Sequence, residues 1–383
     1  MTTNDRIAEV LGETAEAATQ RVLDRLRKYV EMETPSRSEK HVRALAEVIR
    51  TDLRAAGATV DLVDAPGYGA HVIATIGGDG RDHITILSHM DTVHPVGTLA
   101  TQPFRVAGDR VEGPGTYDMK AGIAIAVEAL LLMQKRGTTP QRPIRFLLTC
   151  DEEIGSHSGL PLIREHAQGA HAVLVTEPCV AGGLAKTSRK GVLTYQMTIT
   201  GRAAHAGTHP GNGVSAITEL AHQIHDVLAL ADHSQGTTLN VGVVNGGTAS
   251  NVVAAHAFAE IDVRVTSAAE TARVHAGLLG LKPHASGAQV VVKQTEQRPP
   301  LERSPHVLAL YERVRAIAAE TGFDMGEGSS GGGSDGSFTA ALGIPTLDGL
   351  GPDGGGAHAI DEHVLLADLP VRLALFTRVL ESL

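Results

Sequence analysis

Apolar residues recur three and four positions apart along Thr14–Thr34. The same spacing returns over Ser38–Ala56, behind a serine suited to capping, and predicts two amphipathic helices. After them the texture changes. His71–Ile76, His83–Leu87, Ile144–Thr149 and Ala172–Thr176 are short apolar runs of strand length. Between the second and third lies a long helical pattern, Met119–Arg136, ended by Gly137. Strands alternating with helices predict a mostly parallel sheet covered by helices on both faces.

From Thr187 to Gln294 the rhythm differs. Val192–Thr200 reads as a strand, Gly213–Ala229 as a helix, and Leu239–Val244 and Ala257–Val265 as strands. Ala269–Leu279 reads as a helix and Gln289–Lys293 as a strand, completing a βαββαβ order that predicts a ferredoxin-like sandwich. α/β texture then resumes with helices at Pro305–Thr321, Asp335–Leu342 and Leu366–Leu380. The expected organisation is an α/β catalytic domain built from residues 1–186 and 296–383, interrupted by a lid and dimerisation domain at 187–295. Gly326–Gly333 and Gly349–Gly356 read as tight site loops, and no internal repeat is found.

Composition narrows the class. With 42% hydrophobic and 20% charged residues the chain can bury a real core. Lys and Arg total 33 against 43 Asp and Glu, a formal charge of −10, so the basic footprint of a nucleic-acid or anionic-membrane binder is missing. Asp24, Arg25 and Lys28 interrupt the first stretch, which reads as no signal peptide, and no apolar run is long enough to span a bilayer. Cys150 and Cys179 are the only cysteines, which fits a reducing cytoplasm. Both read as small buried apolar residues.

The chemistry follows the apolar strands. Ser88-His89-Met90-Asp91-Thr92 comes after the second, Asp151-Glu152-Glu153-Ile154-Gly155 after the third, and Glu177-Pro178 after the fourth. Ligands of open α/β sheets sit beyond the carboxyl ends of the strands, so these groups should converge on one crevice. Gly113–Lys120 places Asp118 at the start of a helix, and Gly356-Ala357-His358 adds an imidazole in a glycine-rich turn. His89, Asp118, Glu153, Glu177 and His358 form a donor set suited to divalent zinc, with manganese or cobalt as alternatives. Five groups exceed what one catalytic ion takes, whereas two ions ~3.5–4 Å apart sharing a carboxylate and a water use all five. Asp118 is the natural bridge. Glu152, left over beside Glu153, suits a general base for that water, and Asp91 is expected to accept the second N–H of His89. Each residue alone has an ordinary reading, such as a loop histidine or a solvated acidic pair. All of those readings would have to hold at once.

Ser88–Val93, Gly115–Gly122 and Asp151–Ser156 resemble the signatures of the dinuclear-zinc aminoacylase/carboxypeptidase family, which includes glutamate carboxypeptidase, acetylornithine deacetylase, succinyl-diaminopimelate desuccinylase and tripeptidases. The resemblance spans nearly the whole chain and is nearest the glutamate carboxypeptidase branch. It implies that His89, Asp118 and Glu177 serve one ion, that Asp118, Glu153 and His358 serve the other, and that Glu152 is the base. It also implies that His205 reaches a partner subunit's site to steady an oxyanion, in a homodimer formed through the inserted domain. Asn251, Arg264, the looser match Arg298 and the Gly332 loop, Ser330–Asp335, are implied to bind substrate carboxylate, with Lys186 and Lys190 as helpers near the lid entry. Gly328–Gly332 has the letters of a nucleophile elbow, but no apolar strand precedes it.

The expected activity is metal-dependent cleavage of the amide bond of an N-acyl or peptidyl acidic amino acid, a small carboxylate-bearing substrate. Two alternatives stand beside it: a deacylase or hydrolase of an unusual aromatic amide on the same site, and a catalytically inactive metal-binding or assembly protein. An unligated Glu152 argues against the last, since a structural site has no use for it.

Overall fold

Tertiary contacts divide the chain into two units. One comprises residues up to Ser188 with Arg303–Ser330 and Ser334–Leu383; the other comprises Arg189–Glu302 with Gly331–Gly333. The computed structural model describes residues 2–78 and 80–383.

The first unit begins with helices α1 (Thr3–Leu11), α2 (Ala15–Val30) and α3 (Glu39–Ala55). Thr14 caps α2 by accepting from the Ala17 N–H. Ser38 does not cap α3 through its side chain, contrary to expectation, because its hydroxyl pairs with His41 Nδ1 at 2.7 Å instead. Strands β1 (Thr59–Ala65), β2 (Gly69–Ile76), β3 (Ile84–His89), β4 (Ile144–Thr149) and β5 (Ala172–Val175) join the short strand Thr346–Leu347 in one sheet. Its order is β1-β2-β4-β3-β5 and then Thr346–Leu347. β3 runs parallel to β4 and β5, and the short strand runs parallel to β5, while β1 and β2 form an antiparallel margin. Every residue of the central β3 is buried, as a strand covered on both faces requires. α4 (Ala121–Arg136) is buried on nearly all sides, and α5 (Gly159–Ala167) follows β4.

The second unit contains β6 (Gly191–Thr200), α6 (Ala216–Leu228), β7 (Thr238–Gly246), β8 (His256–Val265), α7 (Ala268–Leu279) and β9 (Gln289–Arg298). The antiparallel sheet has order β7-β8-β6-β9, the βαββαβ sandwich expected. Alternating residues Leu193, Tyr195, Met197 and Ile199 of β6 pack with Leu220, Val227, Val274 and Leu278 of the helices into a core of its own.

The first unit also contains α8 (Pro305–Glu320), α9 (Gly336–Ala341) and α10 (Asp368–Ser382), with α10 packed on α2 and α4. Part of the expected loop Gly326–Gly333 is extended: Glu327–Ser330 is a strand. Among the described residues no helix is long and apolar enough to cross a membrane.

Candidate active site

Sheet register brings the chemistry-bearing strand ends together. His89 closes β3 opposite Thr149 of β4, and Leu87 of β3 lies opposite Val175 of β5, so the segments carrying His89, Glu152-Glu153 and Glu177 leave the sheet side by side. Glu177 leaves through a confined passage. A Cβ on Gly122 would lie 1.9 Å from the Thr176 carbonyl oxygen, and one on Gly351 would lie 2.5 Å from the same atom, so both must be glycine. Asp118 is not at a helix start as expected. It lies in the irregular segment Thr116–Lys120 with φ −114° and ψ 93°, and regular α-helix begins only at Ala121.

The side chains meet around Asp118. Its Oδ1 is 3.0 Å from His89 Nε2 and its Oδ2 is 3.5 Å from His358 Nε2. Glu177 Oε1 lies 3.4 Å from His89 Nε2, and Glu153 Oε2 lies 3.2 Å from His358 Nε2. Two triads, His89–Asp118–Glu177 and His358–Asp118–Glu153, thus share one carboxylate.

Proton affinities reflect this crowding. Burial opposes a charge on His89, but its pairing with the nearby carboxylates of Asp118, Asp91 and Glu177 outweighs it and raises its pKa well above the usual range. Hydrogen bonds to Asp118 and Glu153 push His358 up to about 10. Burial works against ionisation of Asp118, yet the bonds from His358 and His89 hold its carboxyl below the ordinary carboxylate range. Burial raises Glu153.

These residues fit a pair of divalent cations. Three carboxylates face two imidazoles, an oxygen-rich donor set of the kind that divalent cations take. Glu153 Oε1 is buried without a hydrogen-bond partner, a lone pair that a cation would satisfy. A second group, His71, Cys150 and Asp151, also has metal-like composition. Its carboxylate, however, already accepts from Ser158 N–H (2.5 Å), Ser158 Oγ (2.8 Å) and Gly159 N–H (3.2 Å) at the start of α5. Burial raises the Cys150 thiol far from ionisation. Hydrogen bonding explains this group without an ion.

Asp91 is fully buried and acts differently from expectation. His89 Nδ1 meets the main-chain carbonyl of Asp91 at 3.0 Å, while the carboxylate stands 3.6 Å away. That carboxylate instead accepts the N–H groups of Glu152 (3.1 Å) and Glu153 (3.2 Å) and the Ser36 hydroxyl (2.7 Å). The charge of Glu152 acts on His89, so it lies within electrostatic reach of the cluster. Sequence reading missed Glu362, whose buried carboxylate accepts the Asp118 N–H at 2.9 Å. It also missed Arg189, whose Nη1 donates to the carbonyls of Gly333 (2.8 Å) and Gly332 (3.3 Å).

His205, Asn251, Arg264, Arg298 and Gly332 all belong to the second unit. His205 is exposed, and its Nδ1 accepts the N–H groups of Gly207 and Thr208, both at 3.1 Å. Asn251 adjoins it, its carbonyl accepting the Ala206 N–H at 2.9 Å. The Arg264 fork is engaged by Asp262 through two bonds of 2.9 Å. Arg298 ends β9 opposite Val192. Lys190 Nζ donates to the Gly236 carbonyl at 2.6 Å, and Lys186 is buried.

A mostly parallel sheet with clustered imidazoles and carboxylates at its strand ends, and an inserted βαββαβ unit, defines a class of metal-dependent hydrolase. The chain belongs to peptidase family M20/M25/M40, whose model matches residues 85–382. It is 32% identical over 384 residues to carboxypeptidase G2 of Pseudomonas sp. (strain RS-16), covering 98% of this chain and 92% of the relative. It is 30% identical over 361 residues to succinyl-diaminopimelate desuccinylase of Methylobacterium sp. (strain 4-46), covering 86% and 88%. Aminopeptidase PepT of Bacillus cereus ATCC 10987 shares the fold with a TM-score of 0.78 at 24% identity, covering 95% of this chain and 98% of that one. The M20 metallo-carboxypeptidase Sso-CP2 of Sulfolobus solfataricus does so with 0.71 at 16%, covering 94% and 98%. The protein is a hydrolase of the metallopeptidase and amidohydrolase type, which sets aside the reading as an inactive assembly protein.

Proposed function

We propose that the chain hydrolyses the amide bond of an N-acyl or peptidyl acidic amino acid, as a glutamate carboxypeptidase would. The observation that carries this reading is Asp118, with one oxygen toward His89 at 3.0 Å and the other toward His358 at 3.5 Å. That geometry suits two cations sharing a carboxylate, with His89 and Glu177 holding one and Glu153 and His358 the other. Divalent ions held there, with zinc the best match to the donors, would polarise the scissile carbonyl and acidify the attacking water.

Glu152 accepts the proton of that water and returns it to the leaving nitrogen. Asp91 fixes the turn that carries Glu152 and Glu153 and, through its carbonyl, the His89 ring. His205 donates a hydrogen bond to the oxyanion of the tetrahedral intermediate, in a partner subunit's site. Asn251, Arg264, Arg298 and the Gly332 loop take the substrate's carboxylate groups. A relative named as a carboxypeptidase over 98% of the chain supports this assignment. The occupied fork of Arg264 favours a second reading, a deacylase of less acidic N-acyl amino acids, because one arginine is then already neutralised by Asp262. Buried unpaired cysteines support a reducing cytoplasm. The edge strand β7, with Val243 and Val244 exposed, supports a homodimer through the inserted unit, which sedimentation would test.

The deciding experiment is a panel of N-acyl amino acids with zinc, manganese or cobalt, comparing the wild type with Glu152→Gln. Turnover of N-acyl-glutamates, abolished by a chelator, is expected. Glu152→Gln should keep its metal while kcat falls by roughly 10²–10⁴-fold. Two ions per chain with no hydrolysis of any panel member would refute the proposal.

A further inference from the structure

Glu362 lies four residues beyond His358 and is fully buried. Its Oε1 accepts the N–H groups of Tyr117 at 2.8 Å and Asp118 at 2.9 Å. Its Oε2 accepts the Gly115 N–H at 2.8 Å and faces His94 Nε2 at 2.6 Å. The Glu362 main-chain carbonyl adds the Gly113 N–H at 3.2 Å. The segment Gly113–Asp118 is thereby hung from one residue, four positions beyond His358.

A buried carboxylate persists only where hydrogen bonds replace its water, and here every bond it accepts has that purpose. The match is specific to a carboxylate. Three amides and one ring nitrogen need two oxygens and no donor, whereas a glutamine would put an NH₂ group against the Gly115 N–H or against the two amides on the other side. Glu362 thus ties the Asp118 main chain to the loop that carries His358, in addition to the direct approach of the two side chains at 3.5 Å. Asp118 sits in irregular backbone that no helix hydrogen-bond ladder holds, so the bond to its own N–H fixes the main chain from which its two oxygens reach the imidazoles.

We propose that Glu362 is a positioning residue for the paired-cation site: by holding the Asp118 main chain from the loop that carries His358, it fixes the spacing of the shared carboxylate and the second imidazole. The inference rests on the reading of Asp118 as the shared ligand. His94 completes the carboxylate's hydrogen bonding but touches neither Asp118 nor His358, so its loss should leave the three amide bonds in place.

Zinc binding to the full chain is measured by competition with a chromophoric chelator and by ions retained per chain, for Glu362→Gln, Glu362→Ala, His94→Gln and Asp118→Asn. The affinity of the weaker-held ion should fall by about 10-fold in Glu362→Gln and by about 100-fold in Glu362→Ala. His94→Gln should match the wild type. Glu362→Gln should regain its kcat at saturating zinc, a recovery that general loss of structure would not give. If Glu362→Ala fails to fold, the near-isosteric Glu362→Gln decides. Folded Glu362 variants that bind both ions with wild-type affinity, while Asp118→Asn does not, would overturn the role of Glu362 alone. Normal binding by Asp118→Asn would overturn both that role and the shared-ligand reading beneath it.

Discussion

His205 Nδ1 accepts two main-chain N–H groups, from Gly207 and Thr208, and a ring nitrogen that accepts carries no hydrogen. The hydrogen must therefore sit on Nε2, which makes the neutral ring a donor at its outer edge. In the proposed role of oxyanion donor the neutral ring would suffice, so His205→Ala should lower kcat by ~10²–10³-fold with metal content unchanged. Nitrogen chemical shifts of the ring report the tautomer directly. The two site imidazoles behave differently. In the metal-free protein the pairing that lifts His358 from 6.5 to about 10 contributes stability that is complete below about pH 6.5 and lost as pH rises toward about 10. Its half-exposed position keeps that contribution small. A cation requires the bare ring, so metal affinity should climb across the same window, with protons released on binding. Calorimetry in buffers of different ionisation enthalpy would count them. At this scale the sequence made His89, Glu153 and Glu177 readable, because strand ends face the crevice of an α/β sheet. Glu362 was not readable, since its partners are main-chain amides with no residue-type signature. Asp91 was readable as a neighbour of His89, but not as the anchor of the Glu152-Glu153 turn.

Elements carry a different part of the design. The parallel strands stood out because burial on both faces keeps most of their positions apolar. β1 escaped notice because Asp61 and Asp64 break its apolar run on a half-exposed margin. Asp118 was expected on a helix because apolar periodicity runs into α4 without a break, and nothing in that periodicity marks where helical backbone begins. The glycine loop is the element with the clearest consequence. Arg189 holds the carbonyls of Gly332 and Gly333, and in planar peptides the following N–H groups, those of Gly333 and Ser334, point the opposite way. In the proposed role of this loop, those two amides would face the substrate's carboxylate from the side opposite the guanidinium. Arg189→Ala should raise KM for a carboxylate-bearing substrate by roughly tenfold with kcat largely kept, and Arg189→Lys should fall between. Steady-state kinetics on an N-acyl amino acid and its carboxamide would separate the effect, since only the acid should suffer.

For the whole molecule, two cores matter more than one chain. The first unit is organised around the sheet and helices α2, α4 and α10, and the second around its own βαββαβ core. All five candidate metal ligands lie in the first unit, although the insert separates His358 from the other four in sequence. Calorimetry should therefore resolve two unfolding transitions. Chelation should lower only the one belonging to the first unit, by about 3 kcal/mol where the metal stood at a hundredfold excess over its Kd. A single transition moved as one by chelator would contradict this independence.

The Thr176–Glu177 main chain runs between Gly122 and Gly351 with no space for even a methyl group on either side. A wall so thin cannot be retouched. Changes that alter which molecules this enzyme accepts must then accumulate elsewhere, leaving the seat of Glu177 closed to improvement by substitution at either glycine.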